Sequence, residues 1–139
     1  MKDKQINLLY WIAMALLLGY FAYIRGWILT DFQSLTPKEI ATILQKEDNN
    51  VTLLDVRSLL EYDREHIENA QLIPLNLLSD SLNKLEHLKN KKIIVYCHSG
   101  SRSIKASRIL KSQGFTPINM QGGLIEYKKA GFEVIRVVK

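Results

Sequence analysis

Ile93-Ile94-Val95-Tyr96, running straight into Cys97-His98-Ser99-Gly100-Ser101-Arg102, is the stretch on which the reading of this chain turns. Four consecutive apolar residues after Lys91-Lys92 describe a strand buried on both faces. From Ser103 to Gln113 the pattern changes to a helix, with Ile104, Ile109 and Leu110 inside and Gly114 as its stop. Between the two lies a loop of small polar residues, opened by the chain's one cysteine and closed by an arginine. A tight loop at such a junction turns successive backbone N–H groups towards its centre. With a helix amino end behind it, this nest favours an anion. The same field stabilises a thiolate over a thiol, making Cys97 available as a nucleophile. Gly100 permits backbone angles that a larger residue resists, Ser99 and Ser101 bring hydroxyl donors, and Arg102 brings a fixed positive charge. Buried cysteines are commonly small packing residues. One that opens an arginine-ended loop after an apolar strand is read as catalytic.

On either side of this stretch, short apolar runs alternate with helical patterns. Thr36-Pro37-Lys38-Glu39 starts a helix, with Thr36 as N-cap, Pro37 in the first turn and Glu39 closing a capping box. Ile40, Ile43 and Leu44 continue its apolar stripe, and Asp48-Asn49-Asn50 forms the turn after it. Val51-Thr52-Leu53-Leu54 reads as a buried strand and Leu72-Ile73 as another short one. Leu78, Leu82 and Leu85 recur at helical spacing. Pro117 to Met120 is a fourth strand and Leu124 to Ala130 a last helix. The predicted class is α/β, a parallel sheet flanked by helices. Ligands of open parallel sheets bind beyond the carboxyl ends of strands. Asp55 and Cys97, each following a strand, are therefore expected at one crevice.

Three blocks resemble the rhodanese family, the thiosulfate sulfurtransferase-like domains. Leu54-Asp55-Val56-Arg57, with Glu61 and then His66-Ile67, is similar to the family's first signature. Ile93 to Arg102 resembles its strand and active loop, and Gln121-Gly122-Gly123-Leu124 its glycine pair before the last helix. The resemblance covers residues 32–139. It implies a rhodanese-like parallel sheet and a covalent sulfur transfer. Cys97 takes the outer sulfur of a small anionic donor such as thiosulfate, and the amides of residues 98–102 stabilise the resulting charge. In this reading His98, Ser99, Gly100, Ser101 and Arg102 bind the donor. Asp55 and Arg57 order the neighbouring loop, with Glu61 as the partner of Arg57. No cofactor and no metal are implied. With a single cysteine, the acceptor is an external thiol or cyanide. The chain departs from the family pattern at Glu65, where glycine is usual before the His-Ile pair, and at Glu68-Asn69-Ala70, where Pro-Gly-Ala is usual. Tyr127 stands where the last helix often carries tryptophan.

Two other functions compete with sulfur turnover. A rhodanese-fold phosphatase or arsenate reductase has five residues between its cysteine and arginine, whereas four separate Cys97 from Arg102. A persulfide carrier or partner-binding module at the membrane is the other. His98, next to the nucleophile, is expected to point outward, and His66 to order a loop. The three histidines lack metal-ligand spacing. Lys105, Arg108 and Lys111 read as a solvated helix face, with a basic approach for anionic donors as the alternative.

The overall composition, 47% hydrophobic and 24% charged, averages two unlike parts. Residues 1–30 are expected to be a membrane anchor and residues 31–139 the rhodanese-like domain. Gln5 to Ile24 carries no charge. A helix over about residues 6–24 rises roughly 28 Å, close to the ~30 Å hydrocarbon core of a bilayer. Tyr10, Trp11, Tyr20, Tyr23 and Trp27 lie towards its ends, as interfacial aromatics do. A signal peptide has a shorter apolar region and a small-residue cleavage site, whereas Gly19-Tyr20-Phe21-Ala22-Tyr23 is bulky. The expected location is a single-pass cell-membrane protein that meets lipid through residues 6–24. Lys2 and Lys4 tie with Arg25 and Lys38, and the terminal amine tilts the balance slightly towards an inside N-terminus, which places the soluble domain outside. The need of persulfide chemistry for a reducing compartment favours instead a cytoplasmic domain, with a membrane protein as a further candidate partner. Of the net charge of +5, the first 30 residues hold Lys2, Lys4, Arg25 and Asp3. The remainder is too mildly basic to imply nucleic acid.

Overall fold

Strand order follows from which runs are apolar throughout. The computed structural model describes residues 2–46 and 49–137, in two units, Met1–Thr30 and Asp31–Lys139. In the second unit the elements in chain order are β1 (Gln33–Leu35), α2 (Pro37–Gln45), β2 (Val51–Asp55), α3 (Leu59–Arg64), β3 (Glu65–His66) and β4 (Gln71–Leu72). Then come α4 (Leu75–Leu78), a 3-10 helix over Ser79–Leu88, β5 (Lys92–Tyr96), α5 (Ser101–Ser112), β6 (Thr116–Met120), α6 (Gly123–Lys129) and β7 (Ile135–Arg136). Five strands form a parallel sheet in the order β1-β6-β5-β2-β4. The central strands β5 and β2 carry the continuous apolar runs because helices cover both sheet faces. Side chains alternate along each strand. Leu54, Ile93 and Val95 pack with Leu78, Leu85, Leu110 and Phe115 on one face. Leu53, Ile94 and Tyr96 pack with Ile40, Ile118, Met120, Leu124 and Tyr127 on the other. Ile93, Ile94, Val95 and Tyr96 are fully buried. Each such side chain contributes on the order of 1.5–3 kcal/mol.

The α/β class and the parallel sheet are as the sequence implies, and the capping box at Thr36 and Glu39 is formed. Leu78 and Leu85 are buried with Leu82 packed beside them, although most of that segment winds as 3-10 helix. Asn49 and Asn50 lie in the expected turn, while Asp48 lies outside the described residues. Ile73 is not part of a strand, since β4 ends at Leu72. α5 starts at Ser101, two residues before the expected Ser103, because Gly100 takes the N-cap position with φ +105°. The sequence pattern did not reveal β1, α3, β3 or β7. β1 is three residues on a sheet edge, without an apolar run. β3 and β7 form a separate two-residue antiparallel ladder.

Among the described residues of the first unit there is one helix, α1 (Lys2–Ile24). Its Lys4–Ile24 portion is long and apolar enough to cross a membrane, and none of that stretch is buried. Ile6, Leu9, Trp11 and Leu16 are all more than half exposed. The helix begins ahead of residue 6, since Lys and Gln are good helix formers and no Gly or Pro precedes the apolar run.

Candidate functional site

Asp55 and Tyr96 are paired in register as the last residues of β2 and β5, and Cys97 follows directly. Asp55 and Cys97 thus share the carboxyl edge of the sheet, where a parallel arrangement leaves a crevice. Only 1% of Cys97 is exposed, so its sulfur offers almost no open surface. Its sulfur accepts the Gly100 N–H at 3.1 Å. The thiol faces the Ser103 hydroxyl at 3.6 Å, and that hydroxyl donates to the Gly100 carbonyl at 3.0 Å. Gly100 closes this ring at φ +105°, an angle that favours glycine. A thiolate here has a backbone donor in place and α5 aimed at it from its amino end.

The loop is braced from a third element. At the start of α6, Leu124 N–H donates to the Cys97 carbonyl at 2.8 Å and Ile125 N–H to the His98 carbonyl at 3.1 Å. Gly123 makes this approach possible. A Cβ there would stand 2.6 Å from the Cys97 carbonyl oxygen. The Cys97 and His98 carbonyls are thereby satisfied by amides of α6. His98, Ser99 and Ser101 are exposed around the mouth and Gly100 is buried. Lys105 and Lys111 are exposed farther along α5, with Arg108 half-buried.

Two arginines flank the crevice, and each is engaged. Arg57 is 2% exposed and grips Asp55, which is fully buried. Its Nε lies 3.0 Å from both carboxylate oxygens, its Nη2 2.6 Å from Oδ2, and its backbone N–H donates to Oδ1 at 2.9 Å. Nη2 also donates to the Glu65 carbonyl at 2.7 Å, and the guanidinium lies over the Tyr96 ring. Burial pulls the Arg57 guanidinium down, but the Asp55 hydrogen bond and charge outweigh it and hold it above its ordinary value. The Tyr96 phenol is pushed well above its usual range by burial and then by the Asp55 charge. Its oxygen accepts the buried Ile67 N–H at 3.1 Å.

The expected pairing of Glu61 with Arg57 is corrected. Arg57 is taken by Asp55, two residues away and inside the core, whereas α3 carries Glu61 to Arg102. The contact is a two-pronged fork, with Nη2 donating to Oε1 at 2.7 Å and Nη1 to Oε2 at 2.8 Å. The Arg102 hydrogen bond holds the Glu61 carboxyl far below the usual carboxylate range against some desolvation, and donors from Ser58 add to it. The same bond raises Arg102. Ser58 and Glu61 also form a capping box that starts α3. That Ser-x-x-Glu spacing was present in the sequence and is the signal by which α3 could have been found. Ser103 beneath the thiol was likewise overlooked, since a helical serine is ordinarily a neutral surface choice.

The positions that depart from the family pattern have local roles. Glu65 binds Lys128 and Arg136, joining β3 to α6 and β7. Asn69 adopts φ +63°, the left-handed region in which asparagine substitutes best for glycine. Tyr127 is buried against Phe132. His66 stacks on Tyr62, with its Nδ1 2.8 Å from the Tyr62 carbonyl oxygen, in keeping with a loop-ordering residue. Among the described residues no cluster of three His, Cys, Asp or Glu could hold a metal ion.

Residues 36–130 match the family described as Rhodanese-like domain. The chain belongs to the rhodanese-like domain family. It is 39% identical over 100 residues to the tRNA uridine(34) hydroxylase of Aster yellows witches'-broom phytoplasma, covering 68% of this chain and 32% of that protein. It is 32% identical over 97 residues to a probable adenylyltransferase/sulfurtransferase MoeZ of Mycobacterium tuberculosis, covering 69% of this chain and 24% of that one. The matched region thus spans about a quarter to a third of the length of these two relatives. The crystal structure of a rhodanese-like domain protein from Staphylococcus aureus superposes with a TM-score of 0.63 at 32% identity, covering 69% of this chain and 91% of that one.

Proposed function

We propose that this chain is a membrane-anchored sulfurtransferase that moves a sulfane sulfur through a persulfide on Cys97. The observation that carries the reading is the Gly100 N–H held 3.1 Å from the Cys97 sulfur at the amino end of α5. That donor is in place before any charge arrives, which is how a preorganised site stabilises an anion. The Cys97 thiolate attacks the outer sulfur of the donor. A bond forms between Sγ and that sulfur, the donor's own sulfur–sulfur bond breaks, and its electron pair leaves with sulfite when the donor is thiosulfate. An external thiolate or cyanide then attacks the outer sulfur of the persulfide, and the electron pair returns to Cys97 as thiolate. Cys97 is the chain's one cysteine, so the acceptor comes from another molecule.

Membership of the rhodanese-like family and the sulfurtransferase in the mycobacterial relative's name support the reaction class. The four-residue spacing between Cys97 and Arg102 is one short of the loop that a tetrahedral oxyanion needs, which argues against a phosphatase. The apolar Lys4–Ile24 helix supports a single-pass anchor, and a reducing, cytoplasmic setting suits a persulfide. Mass spectrometry of wild type and Cys97→Ser after incubation with a sulfane donor tests the proposal. A gain of about 32 Da on Cys97 alone is expected from attack by that thiolate. A wild-type chain that gains no sulfur from thiosulfate or from a hydropersulfide is not a sulfurtransferase.

A further inference from the structure

Resting on that reading, we infer that Glu61 sets donor specificity. By neutralising Arg102 it turns the site away from dianionic donors such as thiosulfate and towards sulfane donors of low charge, the hydropersulfides of small neutral thiols. Arg102 is the cation that the loop itself supplies, and its two terminal nitrogens are both bound to Glu61, at 2.8 and 2.7 Å. A guanidinium forked onto a carboxylate has its planar recognition edge occupied. Glu61 is not free to swing aside, because Oε2 also accepts the Ser58 N–H at 3.0 Å and hydroxyl at 2.9 Å. Its carboxyl, held far below the usual carboxylate range by the Arg102 hydrogen bond, is ionised at neutral pH. The second guanidinium at the crevice, Arg57, is 2% exposed and spent on Asp55. A sulfonate head bearing two charges therefore meets no open arginine fork. A donor of low charge needs no such fork, and the Gly100 N–H is already aimed at the Cys97 sulfur.

With a hydropersulfide R–S–S–H, the Cys97 thiolate bonds to the outer sulfur and the donor's sulfur–sulfur bond breaks. Its electron pair and the proton leave as R–S–H, so atoms and charge balance with no added oxidant.

The test uses the full-length chain in detergent micelles, following persulfide formation on Cys97 from thiosulfate and from the hydropersulfide of 2-mercaptoethanol. Wild type is expected to favour the hydropersulfide in kcat/KM. Glu61→Gln retains an acceptor for the Ser58 cap and releases Arg102. It should raise the thiosulfate-to-hydropersulfide ratio roughly tenfold, mainly through the KM for thiosulfate, and added salt should erode the gain. The double variant Glu61→Gln with Arg102→Gln should lose that gain. A ratio that Glu61→Gln leaves unmoved, or a wild type that already favours thiosulfate, overturns the inference and leaves the sulfurtransferase reading standing. A wild type that takes sulfur from neither donor overturns both.

Discussion

Substituting Gly123 by alanine should damage stability and chemistry together, and the size of each effect follows from one contact. The new Cβ would stand 2.6 Å from the Cys97 carbonyl oxygen and 2.7 Å from the carbonyl carbon and oxygen of His98. All three are backbone atoms, so no side chain can rotate away. Restoring an ordinary contact of 3.4 Å requires the loop or α6 to retreat by about 0.8 Å. That retreat breaks or stretches the bonds from Leu124 and Ile125 to the same two carbonyls. Two hydrogen bonds at ~0.5–1.5 kcal/mol each, with ~1–2 kcal/mol for a side chain held at positive φ, give a loss of about 2–5 kcal/mol. Displacing a nucleophile by close to 1 Å costs roughly 100-fold in rate. Gly114→Ala is the matched control. Its φ is +83° with nothing within 4 Å of the new Cβ, so it bears the conformational cost alone. Urea unfolding of the full-length variants in micelles, followed by far-ultraviolet circular dichroism, and the rate of persulfide formation read the two effects. Tryptophan fluorescence would not serve, since Trp11 and Trp27 both lie in the first 30 residues. Equal destabilisation by the two substitutions, with the Gly123→Ala rate intact, would refute the argument.

Two further outcomes are expected. Arg57→Met leaves the fully buried Asp55 carboxylate without its cation. A loss of about 3–5 kcal/mol in the same unfolding assay is expected for a broken buried pair, and a loss below about 1 kcal/mol would show that Asp55 is not anchored by charge. Stability should also fall in acid. The Glu61 and Glu65 carboxyls are held below their ordinary value of 4.5 by Arg102 and by Lys128 respectively. The folded state therefore binds fewer protons than the unfolded one. Their contribution is complete above the unfolded value and is lost as pH drops through it towards the lowered folded values. Glu61→Gln should flatten this acid limb in a pH series of urea midpoints, and an unchanged slope would count against the Arg102 fork.

What the sequence disclosed depended on how local the cause was. The strand at Ile93 to Tyr96 and the helix at Thr36 are written in consecutive residues, as an apolar run and a capping box, and both are formed. The class follows because such runs alternate with helices. β1 was illegible because Gln33-Ser34-Leu35 becomes a strand only by pairing with β6, more than 80 residues later. The partners of charged groups were harder still. Glu61 stands four residues from Arg57 and forty-one from Arg102, and the nearer candidate was the wrong one. Proximity in the chain could not weigh the competing claim of Asp55, which turns on three-dimensional packing inside the core. Cys97, by contrast, was conspicuous because loop, strand and helix are contiguous around it.

The bracing of the Cys97 loop by α6 has a consequence for the order of events in synthesis. The thiol leaves the ribosome before Leu124 and Ile125, whose amides hold its loop. β6, which joins β1 to the rest of the sheet, is also a late segment. A nascent chain therefore carries its cysteine in a loop not yet tied down, open to oxidants and stray electrophiles, until α6 docks. Only then are the Cys97 and His98 carbonyls bound and the loop fixed. On the proposed reading the domain acquires its chemistry at the close of folding, since a chain without α6 holds Cys97 in an unbraced loop.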